Sequence, residues 1–185
     1  TYGNNWVVWD RSSGWGGRLF GFLASNCKTY IGTEPCKQTF NGLKQLQNIY
    51  KEENKNISLH NICAEDYLPE KETLDLCFTS PPYFDCERYS KEENQSYLKH
   101  PNKDLWLNGF LRKVITNCFY GLKNDGHLIL NIANTTEHKW IEDETKKIAN
   151  EEGFTLVDVN YLILSSIAGK GVKREPIFIF KKKNG

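Results

Sequence analysis

What most constrains this chain is the order in which two hydrophobic periodicities follow one another. Short β-rich runs, each closed by an acid, a glycine cluster or a proline pair, alternate with stretches whose apolar residues recur at helical spacing. Trp6-Val7-Val8-Trp9-Asp10 is the first run; it enters Arg11 to Arg18, a loop dense in Ser and Gly, and a helix at Leu19 to Ala24 follows. Thr29 to Glu34 is a second β run closing on an acid, and Phe40 to Tyr50 has helical spacing through Leu43, Leu46, Ile49 and Tyr50. Ile57 to Cys63 is a third strand and Leu74 to Phe78 a fourth, stopped by Thr79-Ser80-Pro81-Pro82-Tyr83 because neither proline can donate a ladder hydrogen bond. Leu105 to Leu122 is amphipathic, and the Asn124-Asp125-Gly126 turn ends it before the apolar strand His127 to Ile132. Ile141 to Glu152 is a polar-faced helix, and Phe154 to Leu164 and Ile177 to Phe180 are final β runs. The connection between those last two is too short for a helical crossover, so they form an antiparallel hairpin. This order predicts an α/β fold, a Rossmann-like, doubly wound and mostly parallel sheet with a C-terminal antiparallel hairpin.

A chain of 185 residues, 39% hydrophobic and 25% charged, suits one domain with a packed core, taken here as 1–185. Its formal charge of +1 exerts almost no long-range field, so any polyanion has to be held by a local patch. The six cysteines make no CxxC pair and no Cys/His grouping at zinc spacing, so neither a metal site nor a disulfide framework is expected. No apolar stretch approaches the roughly 20 residues of a membrane span, and the default expectation is a reduced, cytoplasmic protein. With no Met in the chain, residue 1 is not a translational start, and a piece of a longer polypeptide is one expectation.

In a doubly wound sheet, ligands sit at the carboxyl ends of the strands near the switch in strand order. The unusual residues fall there. Gly14, Gly16 and Gly17 follow the first strand, where glycine lets the backbone pass close to a ligand, although the spacing is not a GxGxxG fingerprint and a plain tight turn explains it as well. Glu34 ends the second strand about twenty residues on, where a carboxylate accepts from ribose hydroxyls. Glu65 and Asp66 end the third, where an acid accepts from an adenine amine; a solvated loop acid is the plain alternative at each position. Ser80-Pro81-Pro82-Tyr83 ends the fourth. The prolines fix an extended backbone with outward carbonyls, and an aromatic ring follows, an arrangement suited to a planar ring bearing an amine: Ser80 and a main-chain carbonyl accept from it while Tyr83 stacks. A rigid loop that only terminates the strand is the alternative.

Ser80-Pro81-Pro82-Tyr83, with Thr79 before it, resembles the catalytic motif of the S-adenosylmethionine-dependent DNA amino-methyltransferases, which modify cytosine N4 or adenine N6. The resemblance runs in order along nearly the whole chain: Asp10 to Arg18, with Asp10, Ser13, Gly14, Gly16 and Gly17, resembles the cofactor loop, Glu34 the ribose acid, Glu65 and Asp66 the adenine-contacting segment, and Asp125 to Asn131 the later strand. Ser at position 80 is more similar to the cytosine-N4 enzymes than to the adenine-N6 ones. The resemblance implies S-adenosylmethionine as cofactor, DNA with a flipped-out base as partner, direct methyl displacement without a covalent intermediate, and a role such as restriction-modification. Lys170, Lys173 and Arg174 in the hairpin are the phosphate patch it calls for, with Lys181 to Lys183 as an addition. Arg88, Lys91, Lys99 and His100 are balanced by Asp85, Glu87, Glu92 and Glu93, so residues 84–104 read as a mobile, substrate-facing surface loop. Two departures stand out. Fewer than ten residues precede Asp10, where the family carries a segment closing over the methionine end, and no segment matches a target-recognition domain, so specificity falls to the loop, a partner subunit or missing chain. A methyltransferase of RNA or protein amides, a non-catalytic nucleoside- or DNA-binding subunit, and a dehydrogenase are the competing readings.

Overall fold

The computed structural model describes residues 5–165 and 172–183. Within them lie β1 (Val7–Asp10), α1 (Gly17–Leu23), β2 (Thr29–Thr33), α2 (Lys37–Ile49), β3 (Asn56–His60), a single turn of tighter helix at Ala64–Asp66, β4 (Leu74–Thr79), α3 (Ser96–Lys99), α4 (Lys103–Leu105), α5 (Lys113–Gly121), β5 (Leu122–Asn131), α6 (Ile141–Glu151), β6 (Phe154–Ser165) and β7 (Val172–Lys182). The strands form one seven-stranded sheet in the order β3-β2-β1-β4-β5-β7-β6. β1 to β5 run parallel, and β7 pairs antiparallel with both β5 and β6, which is the predicted architecture including its terminal hairpin. The order reverses beside β1: β2 and β3 lie on one side, β4 and β5 on the other.

Helices cover both faces because the strands alternate their side chains between two apolar clusters. Leu19 and Phe22 of α1 pack with Tyr30 and Leu43 on one face. Trp9, Cys77, Leu128 and Leu130 meet Val114, Ile115 and Cys118 of α5 and Ile141 and Ile148 of α6 on the other. Cys77 and Cys118 are both fully buried there, as small apolar fillers. No helix among the described residues is long and apolar enough to cross a membrane.

Several boundaries differ from the sequence expectation, α2 beginning at Lys37 and β3 ending at His60 among them, and three of the differences have a clear physical reason. The helix predicted from Leu105 continues from α4 through a stretch of wider, π-type turns at Trp106–Arg112 before α5 begins. That widening seats Trp106 and Phe110 together in the core. The Asn124-Asp125-Gly126 turn lies inside β5: Leu74 pairs with Leu122 and Leu76 with His127, so the residues between bulge outward, with Asp125 at φ 65°. β7 begins at Val172, five residues before the expected start, and carries Pro176 opposite Tyr161. Proline is tolerated because Ile177 is the last β7 residue paired with β5, so the stretch from Val172 to Pro176 forms a two-stranded ribbon with β6 that runs past the carboxyl end of β5.

The loop after β1 is shaped by Gly16, at φ 90°, where an added Cβ would come within 2.7 Å of Leu46 Cδ1. An L-residue in that left-handed conformation is strained by about 1–2 kcal/mol, and the contact with α2 adds to it. Gly16→Ala should therefore lower the stability of the chain by about 2 kcal/mol in urea unfolding; an unchanged midpoint would mean that this turn is not as described.

Candidate functional site

The carboxyl ends of β1, β2 and β4 open into one cavity of about 690 Å³, a volume ordinary for a small-molecule site. Ser13, Gly14, Gly17, Glu34, Glu65, Ser80 and Pro82 line it, so the residues after β1, β2 and β4 and the turn after β3 share one space. Asp10, Gly16, Asp66, Pro81 and Tyr83 stand outside that lining.

Asp10 is 1% exposed and organises the loop from beneath. Its Oδ2 accepts from Arg18 Nε at 2.9 Å and from the Tyr30 hydroxyl at 2.8 Å, and its Oδ1 accepts from Thr79 Oγ1 at 3.4 Å. Arg18 also donates to the Ser12 carbonyl. Ser13 N donates to the Thr33 carbonyl at 3.0 Å, which draws the loop back over β2. Glu34 then closes it: Oε2 accepts from Gly14 N at 3.0 Å and Oε1 from Cys36 N at 2.9 Å. Burial raises the Glu34 pKa, and these two N–H donors work against that rise. Each carboxylate oxygen keeps acceptor capacity beyond its one backbone partner.

At the end of β4, Pro81 is buried and Pro82 faces the cavity. Tyr83 is half-buried against the core, and its hydroxyl donates to the Asn131 carbonyl at 3.2 Å. Burial pushes its pKa up to about 12 against a lowering hydrogen bond from Ser80, so the phenol is a neutral donor and no base at ordinary pH. Asp66 is exposed and bound to Lys99 at 2.7 Å. Glu65 is buried, and its Oε1 holds both Lys99 Nζ at 2.8 Å and His100 Nε2 at 3.1 Å. Burial alone would raise the Glu65 pKa; hydrogen bonds from His100 and Lys99 outweigh it and bring it below the ordinary glutamate range.

Residues 84–104, expected to be a mobile surface loop, form a wall tied to the ends of β2 and β3. Glu92 accepts from Lys37 N at 3.2 Å, Asn94 Nδ2 donates to the Pro35 carbonyl at 2.8 Å, and Cys63 Sγ donates to the Asn94 carbonyl at 3.3 Å. Lys99 and His100, considered above as surface charge, are the partners of Glu65. Glu87, Tyr89, Asn94, Gln95 and Ser96 face the cavity from this wall. Tyr89 meets Trp15 edge-on at 6.4 Å, and both rings are largely exposed at the cavity mouth. Sequence reasoning missed this aromatic pair, whose only signal was a tryptophan within a glycine loop. Of the hairpin cations, Lys173 pairs with Glu175 at 2.6 Å and Arg174 is exposed; Lys170 lies outside the described residues.

Arg11 was also missed. It lies against the cavity yet is 1% exposed, and among the described residues none of its three guanidinium nitrogens meets a partner within full hydrogen-bond geometry. The Cys118 thiol is near enough for its pKa to be affected; burial raises that pKa, but Cys77 and the Arg11 charge bring it down.

No protein-family model matches the chain, and no curated protein matches it in sequence. Solved structures do match. An S-adenosylmethionine-dependent methyltransferase from Methanosarcina mazei superposes with a TM-score of 0.70 over 98% of this chain and 94% of that one, at 10% identity. The (4+2)-cyclase SpnF gives 0.69 over 100% and 78%, at 9% identity, and an S-adenosylmethionine-dependent O-methyltransferase from Thermotoga maritima gives 0.64 over 99% and 61%, at 13% identity. These likenesses give the chain the Rossmann-like fold of class I methyltransferases. They do not give it a reaction, since the same fold serves a cyclase.

Two outcomes follow from the buried charges. A buried guanidinium without a carboxylate partner among the described residues is costly, so Arg11→Met should stabilise the chain by about 1–4 kcal/mol in urea unfolding; a loss of stability would mean that its contact with the Cys118 thiol outweighs that cost. Because the folded-state pKa of Glu65 lies below its unfolded value, its stabilisation is complete above the ordinary glutamate range and disappears as pH falls through the folded value. The urea midpoint should therefore drop on acidification through that window, and Glu65→Gln should flatten the drop; an equally steep limb in the variant would assign it to other groups.

Proposed function

We propose that this chain transfers the methyl group of S-adenosylmethionine to an exocyclic amine of a DNA base, cytosine N4 ahead of adenine N6. The observation that carries this reading is the shared cavity: Ser80 and Pro82 open onto the same 690 Å³ space as Gly14 and Glu34, so one small molecule reaches from the β1 loop to the proline pair.

The residues present fit the cofactor. Glu34 is held by two backbone N–H groups and retains acceptor capacity for both ribose hydroxyls. An added Cβ at Gly14 would meet only the Ser12 carbonyl, at 3.8 Å, so space is not what demands glycine there; the left-handed φ of 53° is. Ala64 and Glu65 line the part of the cavity that would take the adenine, with Glu65 as acceptor for its amine. When bound, the cofactor would supply an electrophilic methyl on a sulfonium: the amine nitrogen would bond the carbon as the carbon–sulfur bond breaks, releasing S-adenosylhomocysteine, and the amine proton would pass to solvent.

The chain's own part is placement. Ser80 Oγ accepts one N–H of the amine and orients the nitrogen lone pair. Pro82 bounds the ring plane without competing donors. Tyr83, fastened to the Asn131 carbonyl, sets the position of the turn. Trp15 and Tyr89 at the mouth offer faces for a base swung out of a duplex. The β6/β7 ribbon projects past the same edge of the sheet, carrying exposed Arg174 and Lys173 toward a phosphate backbone.

Ser80→Ala should reduce methyl transfer by roughly a hundredfold or more while leaving affinity for S-adenosylhomocysteine within about twofold. Tritiated methyl transfer to DNA, RNA and protein, followed by mass spectrometry of the labelled nucleosides, reads the first, and calorimetry the second. Label appearing in RNA or protein alone would reassign the substrate, and failure of the folded chain to bind either form of the cofactor would end the reading.

A further inference from the structure

No zinc spacing is present in the sequence, yet folding brings three different metal-binding side chains together beside the proline turn. The ligand atoms of Asp85, Cys86 and His138 all lie within 4.8 Å of one another. His138 Nε2 is 2.8 Å from Asp85 Oδ1, from which it is separated by 53 positions in the chain, and Cys86 Sγ is 3.9 Å from the same oxygen.

The three are presented by hydrogen-bonded turns. Phe84 takes a left-handed φ of 54°, its N–H donates to the Pro82 carbonyl at 3.1 Å, and Cys86 N donates to the Tyr83 carbonyl at 3.1 Å. The strained turn puts the Phe84 ring among Trp106, Trp140 and His138 and leaves Asp85 and Cys86 at the surface. On the other side Thr135 N donates to the His138 carbonyl at 3.2 Å, and His138 N donates to Thr135 Oγ1 at 3.0 Å. Two hydrogen-bonded turns thus face each other, with their side chains converging.

A second cluster, Cys63, Glu65 and Asp66, shows what such a group looks like when a cation of the chain already serves it: Lys99 Nζ stands 2.8 Å from Glu65 and 2.7 Å from Asp66. At Asp85 no such ammonium occurs among the described residues. Among the described residues its ion-pair partner is His138 alone. The carboxylates of Asp85, Glu137 and Glu87 lie near the Cys86 thiol, so the surroundings are anionic.

We propose that Asp85, Cys86 and His138 bind a zinc ion through a carboxylate oxygen, a thiolate sulfur and imidazole Nε2, with water in the fourth position. The charges balance: one carboxylate and one thiolate against a doubly charged ion, with the imidazole neutral. Binding displaces the thiol proton of Cys86 and any proton on His138 Nε2 to solvent. A thiolate beside an imidazole selects zinc over the hard cations magnesium and calcium, which take oxygen ligands. The ion would fasten the turn after Tyr83 to the turn before α6, and so fix the stretch from Tyr83 to Glu87 that runs along the cavity wall.

The test needs no methyl transfer. Zinc titrated into the whole chain should bind one ion per molecule by calorimetry, and magnesium should give no signal. Cys86→Ser and His138→Gln should each weaken zinc by at least roughly tenfold, while Cys27→Ser, at the amino-terminal edge of the sheet, leaves it unchanged. Cobalt in place of zinc should show a thiolate-to-metal charge-transfer absorption that disappears in Cys86→Ser. Cys86 and Asp85 are exposed, so the variants should keep the wild-type circular dichroism. No stoichiometric uptake, or uptake that survives either substitution in a folded variant, overturns the proposal.

Discussion

Asp10 lies where β1 is bonded to β2 on one side and to β4 on the other, and a carboxylate with 1% exposure is tenable there only if its oxygens are met by donors. Those donors come from separate elements: Arg18 in α1, the Tyr30 hydroxyl from β2 and the Thr79 hydroxyl at the end of β4. One buried charge therefore relates the loop after β1 to the strand that delivers Ser80. The glycine loop and the proline turn face one cavity because both are anchored near the same carboxylate, and the reversal of strand order beside β1 provides the crevice into which they open.

The fold was legible because it is written in short-range periodicity. Strands buried on both faces read as continuous apolar runs, and α5 and α6 as 3.6-residue patterns, so order and direction followed without knowledge of any contact. Errors came where local signals compete with tertiary pairing. Asn124-Asp125-Gly126 is a good turn by composition, yet β4 continues to pair on both sides of it, so a turn becomes a bulge. Pro176 looks like a barrier to a strand, yet a ribbon with a partner on one side accommodates it.

The candidate site was legible to the extent that it obeys the rule of strand ends. Gly14, Glu34 and Ser80 each follow a recognisable strand, and they line one cavity. Tyr89, Gln95 and Ser96 follow no strand. They belong to a polar stretch whose course depends on where Glu92, Asn94 and Lys99 find partners after β2 and β3, and such partners cannot be read from spacing. Asp66 shows the converse: a residue in the expected place whose carboxylate is taken by a lysine from that stretch. Arg11 is a third kind of case. It directly follows Asp10, but successive side chains at a strand end point to opposite faces, so Asp10 meets Arg18 and Tyr30 while Arg11 is left among the thiols of the other face.

The wall of the cavity is pinned at both ends by charge, and the two ends differ in kind. At one, Lys99 and His100 hold the Glu65 carboxylate within the protein, and that contact weakens as the carboxylate takes up a proton. At the other, Asp85 meets His138 at 2.8 Å, with the Cys86 thiol beside them. A zinc ion would join all three groups by displacing the thiol proton, which an ammonium would not do, because it forms no directed bonds to sulfur. Between these ends lie Glu87 to Leu98, which bring Glu87 and Tyr89 to the cavity. The geometry of the substrate side thus depends on the ion pairs of Glu65 at one end and on the contact between Asp85 and His138 at the other.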